Sequence, residues 1–437
     1  MPIISCRKLR LLALAAVAGL FGLSSCQESY HYEVPKISGT DYDPTQSVTV
    51  TGILPDSGGY KTPFIIEGTN FGMDASKINV VFNGNRKATV VSTNGTRIYG
   101  IMPKQEDGLN LFSVQIDSTL DPVVSPVKFR YSKVERVSVL AGKTANGGYV
   151  DGSLAESRFN YMYGVNVVTG NNLIVCEGRD NRVRMVSETD NKVTTLYTGA
   201  NFGHPAVTKD RRRAYVIQID KPHAIYYFDQ SNSWEAKRLT ASLDNINGKI
   251  YSCALADDDR YLYFRDAQGK FGCVDTQDPS KITILNDSCG ARTGEISYLE
   301  WSKVDRCFYL SVQVQQGIYK VSKDGKSVEQ WIGFNGVGHE DGSRLTAVIR
   351  NPTGMAFDVD GNMYFIDSMG FVVRKLNHDD GMVSTVAGQY QTCVNDKIEG
   401  LPLEVTFNFP YDIAVDDAGD FYIIEGWGTD VRKFAIE

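Results

Sequence analysis

Apolar and polar positions alternate with a period of two along short stretches of this chain, and turn-forming residues separate the stretches. Ser47–Thr51, Thr62–Gly68, Ile78–Phe82, Leu111–Ile116 and Pro126–Tyr131 each read as a half-buried strand. Pro55-Asp56-Ser57-Gly58-Gly59 is a turn cluster, and Asn83-Gly84 follows Phe82 as a hairpin signal. No helical run interrupts these strands, which predicts a β-sandwich over residues 47–131.

From residue 132 the pattern repeats with a fixed internal ruler. Gly164, Pro205, Cys253, Leu299, Gly354 and Asp412 each lie ten residues before the centre of a second strand: Ile174, Tyr215, Tyr263, Tyr309, Tyr364 and Tyr422. These anchors recur every 41 to 58 residues, the length of one four-stranded propeller blade with variable loops. Third strands are expected at 182–186, 224–228, 270–274, 317–321, 372–376 and 431–434. Fourth strands are expected at 193–197, 236–239, 282–285, 328–332 and 383–387. The sixth unit ends before a fourth strand. Val137–Gly142, so similar to Val383–Gly388, is expected to supply it and close the ring, which removes open sheet edges. The chain is thus expected to be all-β: an immunoglobulin-like sandwich over 47–131, then a six-bladed β-propeller over 132–437 closed by an N-terminal strand.

Two families resemble these segments. Pro55-x-Ser57-Gly58 followed by Phe64-x-Ile66-x-Gly68-x-Asn70-Phe71-Gly72 resembles the IPT/TIG immunoglobulin-like domains, which implies a spacer or protein-contact role. Asn351-Pro352-Thr353-Gly354 through Asp367, ending at Arg374-Lys375-Leu376, resembles an NHL repeat. So does Phe409-Pro410-Tyr411-Asp412 through Asp416, ending at Arg432-Lys433-Phe434. Asp151-Gly152-Ser153 and Arg182-Val183-Arg184 carry the likeness into the first unit, and the middle three units keep mainly the ruler.

The N-terminus follows another logic. Arg7, Lys8 and Arg10 precede an apolar stretch, Leu11 to Leu23, too short to span a bilayer as a helix of about 20 residues. Leu23-Ser24-Ser25-Cys26 resembles the bacterial lipobox, which implies a signal peptide over 1–25 and a lipid on the Cys26 thiol. Residues 26–46, with Pro35 and Pro44, then read as a polar lipidated tether. Glu28 and Glu33 resemble the acidic surface-export signals of gut-bacterial lipoproteins. The expected location is the outer membrane, lipid-anchored, on the cell surface.

Composition narrows the chemistry. Hydrophobic residues at 42% and charged residues at 22% are globular proportions, and a net charge of -7 with no basic stripe argues against a nucleic-acid partner. Cys176, Cys253, Cys273 and Cys307 fall in strands and read as small hydrophobes, while Cys289 and Cys393 fall in loops where a disulfide stays open. Glu177, Asp220, Asp266, Asp367 and Glu425 follow the second strand in five of the six units. A ring of carboxylates can hold calcium, but recurrence in nearly every unit favours acids that cap their own turns. Of His31, His204, His223, His339 and His378, His31 lies in the tether, His378 in an outer turn, and His204 and His339 in connections at unmatched positions. No histidine metal set, nucleophile elbow or phosphate loop emerges, so neither a cofactor nor a metal is expected.

Three connections between blades are long: Lys143–Tyr163, Gly333–Thr353 and Gln389–Tyr411. They belong to adjoining blades, and length gathered on one side is expected to mark a binding rim. The candidate ligand-binding residues there are Tyr149, Tyr161, Tyr163, Phe334, Tyr390, Tyr411 and Trp427, with Arg179 as a donor to hydroxyls. Sugar C–H faces stack on such rings, although each ring also has packing as its alternative role. Trp427, between Gly426 and Gly428, has the least local bulk to cover it. The whole combination resembles lipoproteins of gut-bacterial polysaccharide-utilisation systems. That resemblance implies capture of a glycan beside an outer-membrane importer, without catalysis. The alternatives are a protein–protein docking module on an importer or host protein, and a metal-dependent propeller lyase or hydrolase.

Overall fold

Alternation along the first domain becomes alternation of burial. In Pro63–Thr69 the side chains of Phe64 and Ile66 are buried while Ile65 and Glu67 are partly exposed, and in Asn79–Phe82 Val80 and Phe82 are buried. A computed structural model of the protein describes residues 38–118, 120–143, 146–179, 181–241, 243–290, 296–393, 398–427 and 429–436. The expected signal peptide and Cys26 lie outside the described residues.

Thr49–Leu54, Pro63–Thr69, Arg97–Ile101 and Thr89–Thr93 form one sheet of the sandwich. Val123–Val124, Phe112–Gln115, Asn79–Phe82 and Arg86–Lys87 form the facing one. Phe82 sits at the centre of the core, with its ring against Phe64, Phe112 and Phe129. The Gly-x-Asn-Phe-Gly element has a mechanical explanation. Asn70 adopts φ +64 and turns its side chain back on the preceding segment. There its Oδ1 accepts from Asp43 N at 2.8 Å, and its Nδ2 donates to the carbonyls of Asp43 and Gln46. Thr40 N also donates to Asn94 O, and Tyr42 packs on the core. The tether expected over 26–46 therefore ends earlier, because residues 40–46 dock on the sandwich.

Six antiparallel sheets follow, five of four strands and one of five, each numbered here as a blade. Their inner strands are Met162–Val168, Ala206–Val207, Ile250–Leu255, Ser297–Ser302, Pro352–Phe357 and Pro410–Val415. Each inner strand packs against the next, and the sixth against the first, so the ring is closed. Glu135–Gly142 is the outer strand of blade 6, paired with Asp430–Ile436 from Glu135↔Ile436 to Gly142↔Asp430. Buried side chains from adjacent blades interleave: Val165 and Val175 of blade 1 share a cluster with Tyr422 and Ile424 of blade 6. Cys289 and Cys393 are both free thiols. Burial holds Cys289 up at about 11, and Cys393 Sγ lies 3.1 Å from Asn408 Oδ1.

The long connections do something other than build a rim. Gly152 pairs with Val193, Gly342 and Ser343 pair with Val383 and Met382, and Gly400 pairs with Val137. Each connection thus lies along the outermost strand of the blade it enters and covers an edge that would otherwise expose unpaired amides. A buried arginine from the third strand pins each one. Arg184 donates to the carbonyls of Val150 and Arg158, Arg374 to those of Glu340 and Val348, and Arg432 to that of Thr406. Asp151 and Asp341 complete the device by pairing with Arg184 and Arg374 at 2.7 Å. Length here reflects a repeated structural element, so length alone does not mark a binding site.

Candidate functional site

The inner strands run parallel around the ring, as the parallel bridge between His204 and Ser252 shows. Their first residues therefore gather at one mouth of the channel and their last residues at the other. Connections between blades and turns between second and third strands share the first mouth.

At that mouth the structure brings several of the expected aromatic residues together. Trp427 follows the second strand of blade 6, and Tyr161 precedes the inner strand of blade 1. Adjacency of the two blades sets their rings edge to face at 5.8 Å. The Phe409 ring lies 5.6 Å from Trp427, and the Arg179 guanidinium lies 4.3 Å from the centre of the Tyr161 ring. Trp427 is 54% exposed, so much of the indole stays open to solvent beside these contacts. Tyr161 is held at φ +44, a left-handed backbone that costs a side chain of its size about 1–3 kcal/mol. Beside this group Tyr163 and Tyr411 stack at 5.3 Å with their planes 18° apart.

The remaining candidates lie apart from this cluster. Tyr149 carries the Arg182 guanidinium 4.5 Å from its ring centre and takes a hydrogen bond from Asn160. Tyr390 stacks on His339 at 4.3 Å. Phe334 packs on Tyr319 and covers Gly317, where any Cβ would strike its ring. Phe334 is a packing residue because blade 4 leaves a gap above that glycine.

The recurrent acids are structural: Asp266 and Asp367 accept amides of their own turns, and buried arginines hold three of the five. Glu177, Asp367 and Glu425 pair with Arg184, Arg374 and Arg432 at 3.4, 3.4 and 3.0 Å, all buried. Asp266 accepts from the amides of Gly248, Gln268 and Lys270. Asp220 bonds Asn201 and Lys249.

A second constellation went unseen in the sequence. His204 lies across the channel between two other blades. Its Nδ1 is 2.6 Å from Asp412 Oδ2, and its Nε2 is 3.1 Å from Glu300 Oε2. With a carboxylate on each nitrogen, both nitrogens donate and the ring is an imidazolium. Burial opposes that charge, yet the Asp412 and Glu300 carboxylates outweigh it and push the pKa up to about 10. Asp412, wholly buried, also accepts from the amides of Val165 and Ile413. Next to this relay Tyr298 donates to Tyr163 O at 2.6 Å, tying blade 4 to blade 1. The relay and this bond separate the two mouths. The signal was present once the ruler aligns the blades. Asp412 is the one acid in the anchor row of Gly164, Pro205, Cys253, Leu299 and Gly354. Glu300 is the one acid in the next row of Val165, Ala206, Ala254, Met355 and Ile413.

Residues 48–131 match the IPT/TIG domain family. No curated protein matches the chain. Among solved structures the chain is similar to a structural-genomics protein of unknown function from Bacteroides thetaiotaomicron. The two share 37% identity over 91% of this chain and 100% of that one, with a TM-score of 0.84. Two auxiliary nutrient binding proteins, from Bacteroides thetaiotaomicron and Bacteroides ovatus, share its fold at 21% identity. They cover 91% of this chain and 99% and 100% of their own, with TM-scores of 0.59 and 0.60. The chain belongs to the same family as the Bacteroides thetaiotaomicron protein of unknown function, and in it an IPT/TIG domain precedes an NHL-type six-bladed propeller.

Proposed function

We propose that this protein is a non-catalytic cell-surface receptor that captures a glycan for a polysaccharide-uptake system, anchored in the outer membrane by a lipid on Cys26. The observation that carries the reading is the open indole of Trp427, braced by Tyr161 and Phe409 and flanked by the Arg179 cation. A sugar ring presents a C–H face to such a platform and hydroxyls to a neighbouring guanidinium. Tyr163 and Tyr411 extend the aromatic surface toward the channel. The long connections are occupied in covering blade edges, so the recognition surface is this compact cluster rather than the wider rim. Names borne by two proteins of the same fold, auxiliary nutrient binding proteins, agree with capture of a nutrient.

Affinity electrophoresis tests the reading. Residues 27–437 run through native gels containing individual polysaccharides are expected to be retarded by at least one, and Trp427→Ala is expected to abolish the retardation. Free migration through every polysaccharide, with co-purification of an outer-membrane importer, replaces glycan capture by docking. Turnover abolished by a chelator overturns the non-catalytic assignment.

A further inference from the structure

The turn after the second strand carries Arg179 in blade 1 and Trp427 in blade 6, each two residues past a buried acid, Glu177 or Glu425. The matching residues of blades 3 and 5 are Gln268 and Met369. Two blades that adjoin at the ring closure thus present a cation and an indole from the same place in the repeat. Both are set against one ring, that of Tyr161. Arg179, like Trp427, is exposed.

How Arg179 is held decides what it can bind. Arg213 lies over Tyr227 and Arg260 over Tyr261, yet Asp229 and Asp275 neutralise them at 2.6 and 2.8 Å. Arg184 and Arg432 also lie over rings and are neutralised by the buried acids already described. Arg179 has its ring and, among the described residues, no carboxylate within 4 Å. Arg182, at the end of the same turn, is held the same way over Tyr149. A cation–π contact steadies the charge without consuming its N–H groups. The planar fork of Arg179 is therefore preorganised beside the indole and not spent on an acid of its own chain.

Such a fork matches a carboxylate or a sulfate, which accepts two parallel charge-assisted bonds, better than it matches a hydroxyl. The chain's net charge of -7 repels a polyanion as a whole, so retention of one demands a local cation that is not already neutralised. Beside the platform, Arg179 meets that demand. We propose that the glycan taken by the platform is anionic: a sugar bearing a carboxylate or sulfate, stacked on Trp427 with its acid group on Arg179. The inference rests on the glycan reading of Trp427 and adds the charge of the sugar to it.

Calorimetric titration of residues 27–437 tests this with oligosaccharides in matched pairs. Polygalacturonate and alginate fragments are paired with their methyl esters, and carrageenan and fucoidan fragments with their desulfated forms. Xylan, galactan and dextran fragments are the neutral set. At least one anionic fragment is expected to saturate a site, and its neutralised partner to bind roughly ten-fold more weakly or worse, the size of one charge-assisted hydrogen bond. Arg179→Gln is expected to cause a similar loss at an unchanged melting temperature, and Trp427→Ala to abolish binding. Arg344, a cation over the Trp331 ring in the connection that covers blade 5, is the control: Arg344→Gln is expected to bind as the wild type does. Binding confined to the uronates or to the sulfated fragments tells which acid is read. A neutral glycan that Trp427→Ala loses and Arg179→Gln retains overturns the charge assignment and keeps the platform. Equal losses in Arg344→Gln and Arg179→Gln overturn the assignment too, since any surface cation then serves. Absence of binding by every fragment overturns both readings together.

Discussion

The two mouths of the propeller are made from opposite ends of the same six strands, yet they relate to the fold in opposite ways. At the first mouth Trp427 sits on a turn, flanked by two rings and open to solvent. Among the described residues it belongs to neither of the core clusters of blades 1 and 6. At the second, Glu300 is continuous with a relay that runs through His204 to Asp412 and on to the backbone of blade 1. A group at the first mouth can change with little consequence for the ring, whereas a group at the second takes part in holding blades 2, 4 and 6 together. Side chains placed on turns are free to vary, and side chains placed on inner strands are coupled to stability.

The sharpest way to break that comparison is His204→Ala. It strands the wholly buried Asp412 carboxylate, and removing one partner of a buried ion pair costs about 3–5 kcal/mol. Chemical denaturation near neutral pH is expected to show a loss of that size. A loss under about 1 kcal/mol would mean that the relay is not structural.

The protonation of His204 supplies the next test. Its native pKa of about 10 lies above the ordinary 6.5, so the imidazolium stabilises the fold fully below about 6.5 and ever less as pH rises through 10. Asp412 and Glu300 are the charged groups that face it, and Tyr298 packs on its ring. The stability gap between the wild type and His204→Gln is therefore expected to shrink between pH 6.5 and 10. Denaturation midpoints measured across that window report it, and a constant gap would show a ring that is neutral throughout.

A smaller effect is expected where the sandwich domain meets the propeller. Lys104 and Asp420 are 15% and 9% exposed as side chains, and Lys433 stands 3.5 Å from the same carboxylate as a second cation. Lys104→Met is expected to lower stability by roughly 1.5–3 kcal/mol, the range for a hydrogen bond to a charged group. Lys433→Met made in the same background is expected to show more than additive loss, because each lysine covers for the other.

What the sequence disclosed divides along the same line. Strands and blades were legible because their signals are local: alternation within five residues, and an offset of ten between anchor and second strand. The closing strand was legible through its likeness to Val383–Gly388. The platform was partly legible, since an isolated Trp427 between glycines has little beside it in sequence. Phe334 misled because the glycine it covers, Gly317, is brought to it by strand pairing. The long connections misled because cover for a blade edge is invisible until blades are assembled. The relay was hardest. Its partners lie 208 and 96 residues from His204, on three blades, and each stands out only against its own row.

The smallest expected effect on stability belongs to Trp427→Ala, and it is the one that most sharpens the contrast between the mouths. The indole is 54% exposed and touches the rings of Tyr161 and Phe409. Aromatic pairs of this kind contribute about 0.5–1.5 kcal/mol, and relaxation of the exposed turn offsets part of that, so the denaturation midpoint is expected to fall by no more than about 1 kcal/mol. Retardation in polysaccharide gels is expected to vanish in the same variant. Arg179→Ala gives the graded control: its guanidinium covers Tyr161 without touching the core, so it is expected to weaken retardation while leaving the midpoint in place. Large destabilisation by Trp427→Ala would show that the ring is a wedge between blades 1 and 6, and the platform would then belong to the fold rather than to a ligand.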